Sequence, residues 1–222
     1  MRHWIERLAP LQPEDLLVDA GCGTATFLQE MAGFCRVVGI DNSIESIKIA
    51  GPKIRPLGGR IIHSPLDTVE LESNSASVVT LLDVLEHVDD DRAVLMEMSR
   101  ITRPGGLIVI TVPALKFLWS DWDVALHHRR RYLQPEVLKL VRHPDLTVLR
   151  CSYFNTLALV PILAIRAVRK FLLPAQNGDR AEDKVPPRWL NNILRQAMVW
   201  PACSDGFTAP LGVSLLAILR KK

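Results

Sequence analysis

The sequence predicts an α/β fold built on a mainly parallel sheet, and three observations predict it. The apolar run Leu16-Leu17-Val18 ends in Asp19 and turns through Ala20-Gly21-Cys22-Gly23 straight into a helical pattern. That is how a parallel strand hands over to a helix beside a ligand, with glycine where a Cβ would block the tight turn and the close approach. A second apolar strand, residues 36–40, closes on Asp41 and Asn42, with Asp41 lying 22 residues after Asp19. A carboxylate at that distance can accept hydrogen bonds from both ribose hydroxyls of an adenosine-type cofactor. Strand-like and helix-like segments then alternate up to about residue 112.

The elements follow in order. Residues 1–10 are short, charged and amphipathic, a helix rather than a leader peptide. After Asp41 comes a helical segment, then strand 60–63 leading to Ser64-Pro65-Leu66-Asp67. Strand 77–82 runs into Asp83-Val84-Leu85-Glu86-His87-Val88, and a helix over 89–102 carries acidic residues in its first turn, where the helix dipole favours them. Arg103-Pro104-Gly105-Gly106 turns into strand 107–112. Two further strands are expected over 146–151 and 212–219.

The glycine turn also limits the cofactor. A dinucleotide fold carries a third glycine and aims its helix at a pyrophosphate. Here Gly21 and Gly23 are followed by Thr24-Ala25-Thr26-Phe27, and Asp19 beside the turn would repel a pyrophosphate. It suits a ligand with a cationic amino-acid end. The segment 18–23 resembles the first motif of the class I S-adenosylmethionine-dependent methyltransferases. Asp67, the run 83–87 ("DVLEH") and 103–106 ("RPGG") resemble that family's later motifs, as in the small-molecule methyltransferases of quinone biosynthesis.

The resemblance implies a Rossmann-like seven-stranded sheet of order 3-2-1-4-5-7-6, with strand 7 antiparallel. It implies S-adenosyl-L-methionine as cofactor. Asp19, Gly21 and Gly23 would hold its amino-acid end, Asp41 the ribose and Asp67 the adenine; Leu82 or Asp83 would line the pocket beside the sulfonium, and Ala20, Cys22 and Asn42 complete the cofactor-binding set.

Composition agrees with one domain over residues 1–222. Hydrophobic content is 48% and net charge only +3, too little to argue for nucleic acid. The four cysteines show no paired or metal-ligand spacing, which reads as free thiols in a reducing cytoplasm.

About 60 residues separate the last two strands, and residues 155–210 are expected to form a helical cap beside the active edge. The stretch 156–165 is apolar, interrupted by Pro161, and far short of the ~20 residues needed to span a bilayer. Residues 155–200 read either as helices packed on the sheet or as an amphipathic surface touching the inner face of a membrane.

Chemistry concentrates at two places. His87 follows the fourth strand at the edge where cofactor and acceptor meet, with an intrinsic pKa suited to general-base work. Its alternative is a structural histidine in the strand–helix turn. Trp119-Ser120-Asp121-Trp122-Asp123 and His127-His128-Arg129-Arg130-Arg131-Tyr132 follow the fifth strand. They resemble an "LWS-x-x-D … H-x-R-R-Y" pattern of a bacterial subgroup of the family, on which Asp123, His128, Arg130, Arg131 and Tyr132 are the aligned positions. That subgroup often has a histidine where Trp122 stands.

His128 joins His87 as a catalytic candidate. Trp119, Asp123, Arg130, Arg131 and Tyr132 are expected either to bind the acceptor or to order the loop over the cofactor. Tandem arginines suit a phosphate or carboxylate. No metal is expected: His127 and His128 are adjacent, point apart on most backbones and have no cysteine nearby.

The sequence thus reads as a methyltransferase for a small or lipid-linked, partly anionic acceptor, with oxygen as the atom methylated. The rivals are a nucleotide-dependent oxidoreductase and a catalytically silent copy of the fold.

Overall fold

In the computed structural model the described residues are 1–160, 163 and 209–222. Most of the cap expected over 155–210, with Cys203, lies outside them. Seven strands form one sheet: β1 (Leu16–Ala20), β2 (Arg36–Asp41), β3 (Arg60–His63), β4 (Ala76–Leu82), β5 (Thr102–Pro113), β6 (Leu146–Phe154) and β7 (Ser214–Lys221). Their order is β3-β2-β1-β4-β5-β7-β6, and β7 pairs antiparallel with both β5 and β6. The remaining pairs are parallel.

The central strands are apolar on both faces because both faces are covered. Alternation sends Leu17, Val78 and Leu107 to one core, with Leu28, Met31 and Ile54 from α2 (Thr26–Met31) and α3 (Ile44–Ile54). Trp4 and Ile5 of α1 (Arg2–Leu8) join the same core. Val18, Val79 and Ile108 face the other, with Val94, Leu95 and Met98 of α4 (Asp91–Ile101). Full burial of a leucine such as Leu107 contributes about 2–3 kcal/mol.

Local signals set the helix starts. The Asp90 side chain accepts the Ala93 N–H at the head of α4, and the Ser43 hydroxyl accepts the Ser46 N–H at the head of α3. The turn expected at residues 103–106 takes the form of a bulge inside β5. Ala76 pairs with Thr102 and Val78 with Leu107, so Arg103–Gly106 loops out opposite Ser77, with Gly105 at φ 79°. Beyond β5 come two short helices, α5 (Asp121–Ala125) and α6 (Gln134–Leu140).

Candidate active site

The carboxyl ends of β1 and β2 meet the glycine turn. Gly21 and Gly23 have φ of 76° and 50°, and a Cβ on Gly21 would lie 2.5 Å from a Val84 methyl. That contact seats the turn against the segment after β4. Gly21 and Cys22 both donate their N–H groups to the Ile40 carbonyl, at 2.8 and 3.0 Å. Asp41 accepts the Gly23 N–H at one carboxylate oxygen and the Ser43 N–H at the other, each at 2.8 Å. The first turn and the end of β2 are therefore locked together.

Asp19 is buried and accepts the Thr80 hydroxyl at 2.5 Å. Burial pushes its carboxyl up to about 7, and the Asp41 charge adds to the rise. Ala20 is fully buried at the strand end, and Leu82 is half-buried. The Cys22 thiol is packed toward Gly39, and burial drives it up to about 12, which makes it a packing group rather than a nucleophile. Asn42 is exposed, with its carbonyl 3.1 Å from His63 Nε2. Asp67 is exposed after β3, in a hollow of about 660 Å³ shared with His63, Ser64 and Thr68.

The second half of the site lies beyond β4 and β5. Asp83 adopts a left-handed φ of 55°. Its N–H donates to both the Thr111 carbonyl and hydroxyl at 3.0 Å, and that hydroxyl donates back to its carboxylate at 3.2 Å. Such a backbone in a non-glycine residue is characteristic of functional sites.

A cavity of about 540 Å³ opens here, lined by Asp83, Glu86, Ser120, His128 and Arg131 with Trp122, Leu126 and Val213. The His87 and His128 rings meet edge to face with centroids 4.9 Å apart. Partial desolvation, then the neighbouring His128, lowers the pKa of His87 from the ordinary imidazole value, although the residue keeps an exposed face.

The arginine loop is knitted to the protein. Arg131 is buried and grips Asp123 through Nε and Nη2 at 2.7 and 3.1 Å, and it also donates to the Ala114 carbonyl. His128 Nδ1 lies 2.9 Å from the same Asp123. Arg130 donates to the Asp91 carboxylate and to the Val88 and Asp89 carbonyls, and Arg129 pairs with Asp89. The Tyr132 hydroxyl donates to the Leu85 carbonyl at 3.1 Å and to Asp91 at 2.8 Å, and burial pushes its pKa up. Trp119 is exposed on the same loop.

Comparison with known proteins agrees with this arrangement. The methyltransferase domain family matches residues 18–110. A ubiquinone biosynthesis O-methyltransferase from Cupriavidus pinatubonensis is 30% identical over 174 residues, covering 70% of each chain. The chain belongs to the class I S-adenosylmethionine-dependent methyltransferases. A second ubiquinone biosynthesis O-methyltransferase, from Thiobacillus denitrificans, is 32% identical over 110 residues, 48% of this chain and 47% of its own. The match thus spans about half the length of the first such relatives. A solved geranyl diphosphate methyltransferase in complex with S-adenosylmethionine shares the fold, with a TM-score of 0.67 at 18% identity, over 98% of this chain and 82% of that one.

The methyltransferase's own residues fit that cofactor. Asp19 is a buried carboxylate whose one side-chain partner among the described residues, Thr80, is uncharged, and a ligand ammonium would supply the missing cation. Asp41, held by two N–H groups, keeps lone pairs for ribose hydroxyls.

On the acceptor side Asp123, Arg130 and Arg131 have their charges met by protein partners, and the Tyr132 hydroxyl is hydrogen-bonded to Leu85 and Asp91. Arg131 alone of these lines the cavity. His128 meets His87, and Glu86 lies beside them. Glu86 was missed, although its place directly before His87 in the strand–helix turn was a usable signal.

Proposed function

We propose that this methyltransferase moves a methyl group from S-adenosylmethionine to a hydroxyl oxygen of a small acceptor with a largely apolar body. The carrying observation is the 540 Å³ cavity, which sets Asp83 and His128 against Trp122, Leu126 and Val213 at the carboxyl ends of β4 and β5. Oxygen is favoured because neutral His87 stands beside the cavity as a base, and the relatives are named O-methyltransferases.

In the transfer, the acceptor hydroxyl gives its proton to the base and the oxygen lone pair attacks the methyl carbon. The carbon–sulfur bond breaks as the carbon–oxygen bond forms. The carbon is already activated by positive charge, so the protein's main contribution is alignment and exclusion of water. Asp83, pinned by Thr111, fixes the wall between donor and acceptor.

Phe117, Trp119 and Val124 are exposed apolar side chains on the loop that supplies Trp122 and Leu126, which supports a lipid-linked acceptor. An anionic acceptor group is less well supported, because Arg131 is the one arginine among the described lining residues and Asp123 neutralises it.

The test is incubation with methyl-labelled S-adenosylmethionine and a panel of phenols, amines and carboxylic acids, with and without alkyl tails. Label on oxygen of a tailed phenol, with turnover falling in His87→Asn, supports the reading. Label on amines alone would overturn it.

A further inference from the structure

Glu86 is a carboxylate that the described fold leaves unanswered. Its side chain is fully buried, and neither oxygen has a hydrogen-bond partner. A buried carboxyl without partners either stays protonated or is ionised by a cation that coordinates it. Its neighbours are two imidazoles. One ligand atom each from Glu86, His87 and His128 lies within 4.8 Å of the other two.

The His128 ring is already oriented from behind. Asp123 is ion-paired to Arg131 and has only acceptors to offer, so His128 Nδ1 donates toward it and Nε2 lies on the opposite side of the ring. The His87 ring stands edge to face against His128, in the turn that follows β4. A carboxylate or carbonyl holding one ring nitrogen while the other binds a metal is the usual support of a metal-ligating histidine. Here His128 has one in Asp123.

We propose that Glu86, His87 and His128 bind one divalent ion of the zinc class, with its open positions facing the acceptor cavity that Glu86 and His128 line. Two imidazoles and one carboxylate suit Zn²⁺, Co²⁺ or Fe²⁺ better than Mg²⁺ or Ca²⁺, which prefer oxygen shells. The ion would answer the Glu86 charge and hold the two edge-to-face rings in place.

Its chemical use rests on the O-methylation reading. With the ion bound, His87 would be a ligand rather than the base, and an acceptor hydroxyl on the ion would lose its proton to solvent more readily. The oxygen keeps the electron pair that forms the bond to the methyl carbon while the bond to sulfur breaks. The site itself does not depend on that reading.

The experiment is a titration of chelator-stripped full-length protein with Co²⁺, followed by visible absorption, and with Zn²⁺ in competition with a chromophoric chelator. One equivalent should bind with visible d–d bands. Glu86→Gln and His128→Asn should each weaken binding at least about tenfold. His87→Asn, at an exposed position, repeats the test should Glu86→Gln fail to fold.

Asp41→Ala should lose the methyl donor and keep the metal. Absence of stoichiometric binding overturns the site, as does equal affinity in wild type and all three ligand variants. Either result, with donor binding intact, leaves the methyltransferase reading standing. Lost donor binding with intact metal binding would do the reverse.

Discussion

Asp123 and Arg131, eight residues apart, form a buried two-bond ion pair that also carries His128 on its other flank. Arg131 pulls the Asp123 carboxyl below its usual range despite its burial. Removing one member leaves the other charge buried without a partner. Asp123→Ala is expected to cost about 3–5 kcal/mol in urea unfolding.

Tyr132 holds the same loop to the segment after β4 through Leu85 and Asp91. Tyr132→Phe should lose about 1–2 kcal/mol of stability. Since both bonds go to protein, KM for the acceptor should stay unchanged. A raised KM with unchanged stability would assign Tyr132 to acceptor binding instead.

Gly21 faces Val84 where a Cβ has no room, at a φ that disfavours any other residue. Gly21→Ala should lower the melting temperature, at a cost of about 1–2 kcal/mol from the backbone alone. It should also weaken donor binding, because the displaced turn carries Gly23 away from Asp41. Gly23→Ala meets no atom within 4 Å, so it should cost only the strain of its left-handed φ of 50° and destabilise less than Gly21→Ala.

Asp19 supplies a pH signature. Its carboxyl is raised to about 7 from 3.8 by burial, so the folded protein binds its proton more tightly than the unfolded chain. The stability it contributes is full below about pH 4 and is lost as pH rises toward 7. A cationic ligand favours the ionised form, so donor binding at pH 6 should release close to one proton. Calorimetry in buffers of different ionisation enthalpy measures that release, and Asp19→Asn should abolish it.

The sheet was legible because its information is local. The runs at residues 16–19, 36–41 and 77–82 are apolar on both faces, and Gly21, Asp41 and the acidic start of α4 mark where strands stop and helices begin. The cofactor half is legible for the same reason, as Asp19 and Asp41 sit at strand ends whose order fixes their positions.

The acceptor half depends on contacts across about 40 residues, such as Arg130 with Asp91 and His128 with His87, which no spacing rule encodes. Tandem arginines look alike in sequence whether they grip a ligand or a buried aspartate. The neutralising partners Asp89 and Asp91 read simply as helix-capping acids.

The most direct test is calorimetric titration of S-adenosylhomocysteine into wild type and an Asp41→Asn variant, with folding checked by thermal melt. Micromolar binding to wild type, weakened about 30-fold or more by the loss of charge at the ribose carboxylate, is the expected result. Absence of binding to folded wild type, or unchanged affinity in the variant, would contradict the assignment of the carboxyl ends of β1 and β2 as the cofactor site.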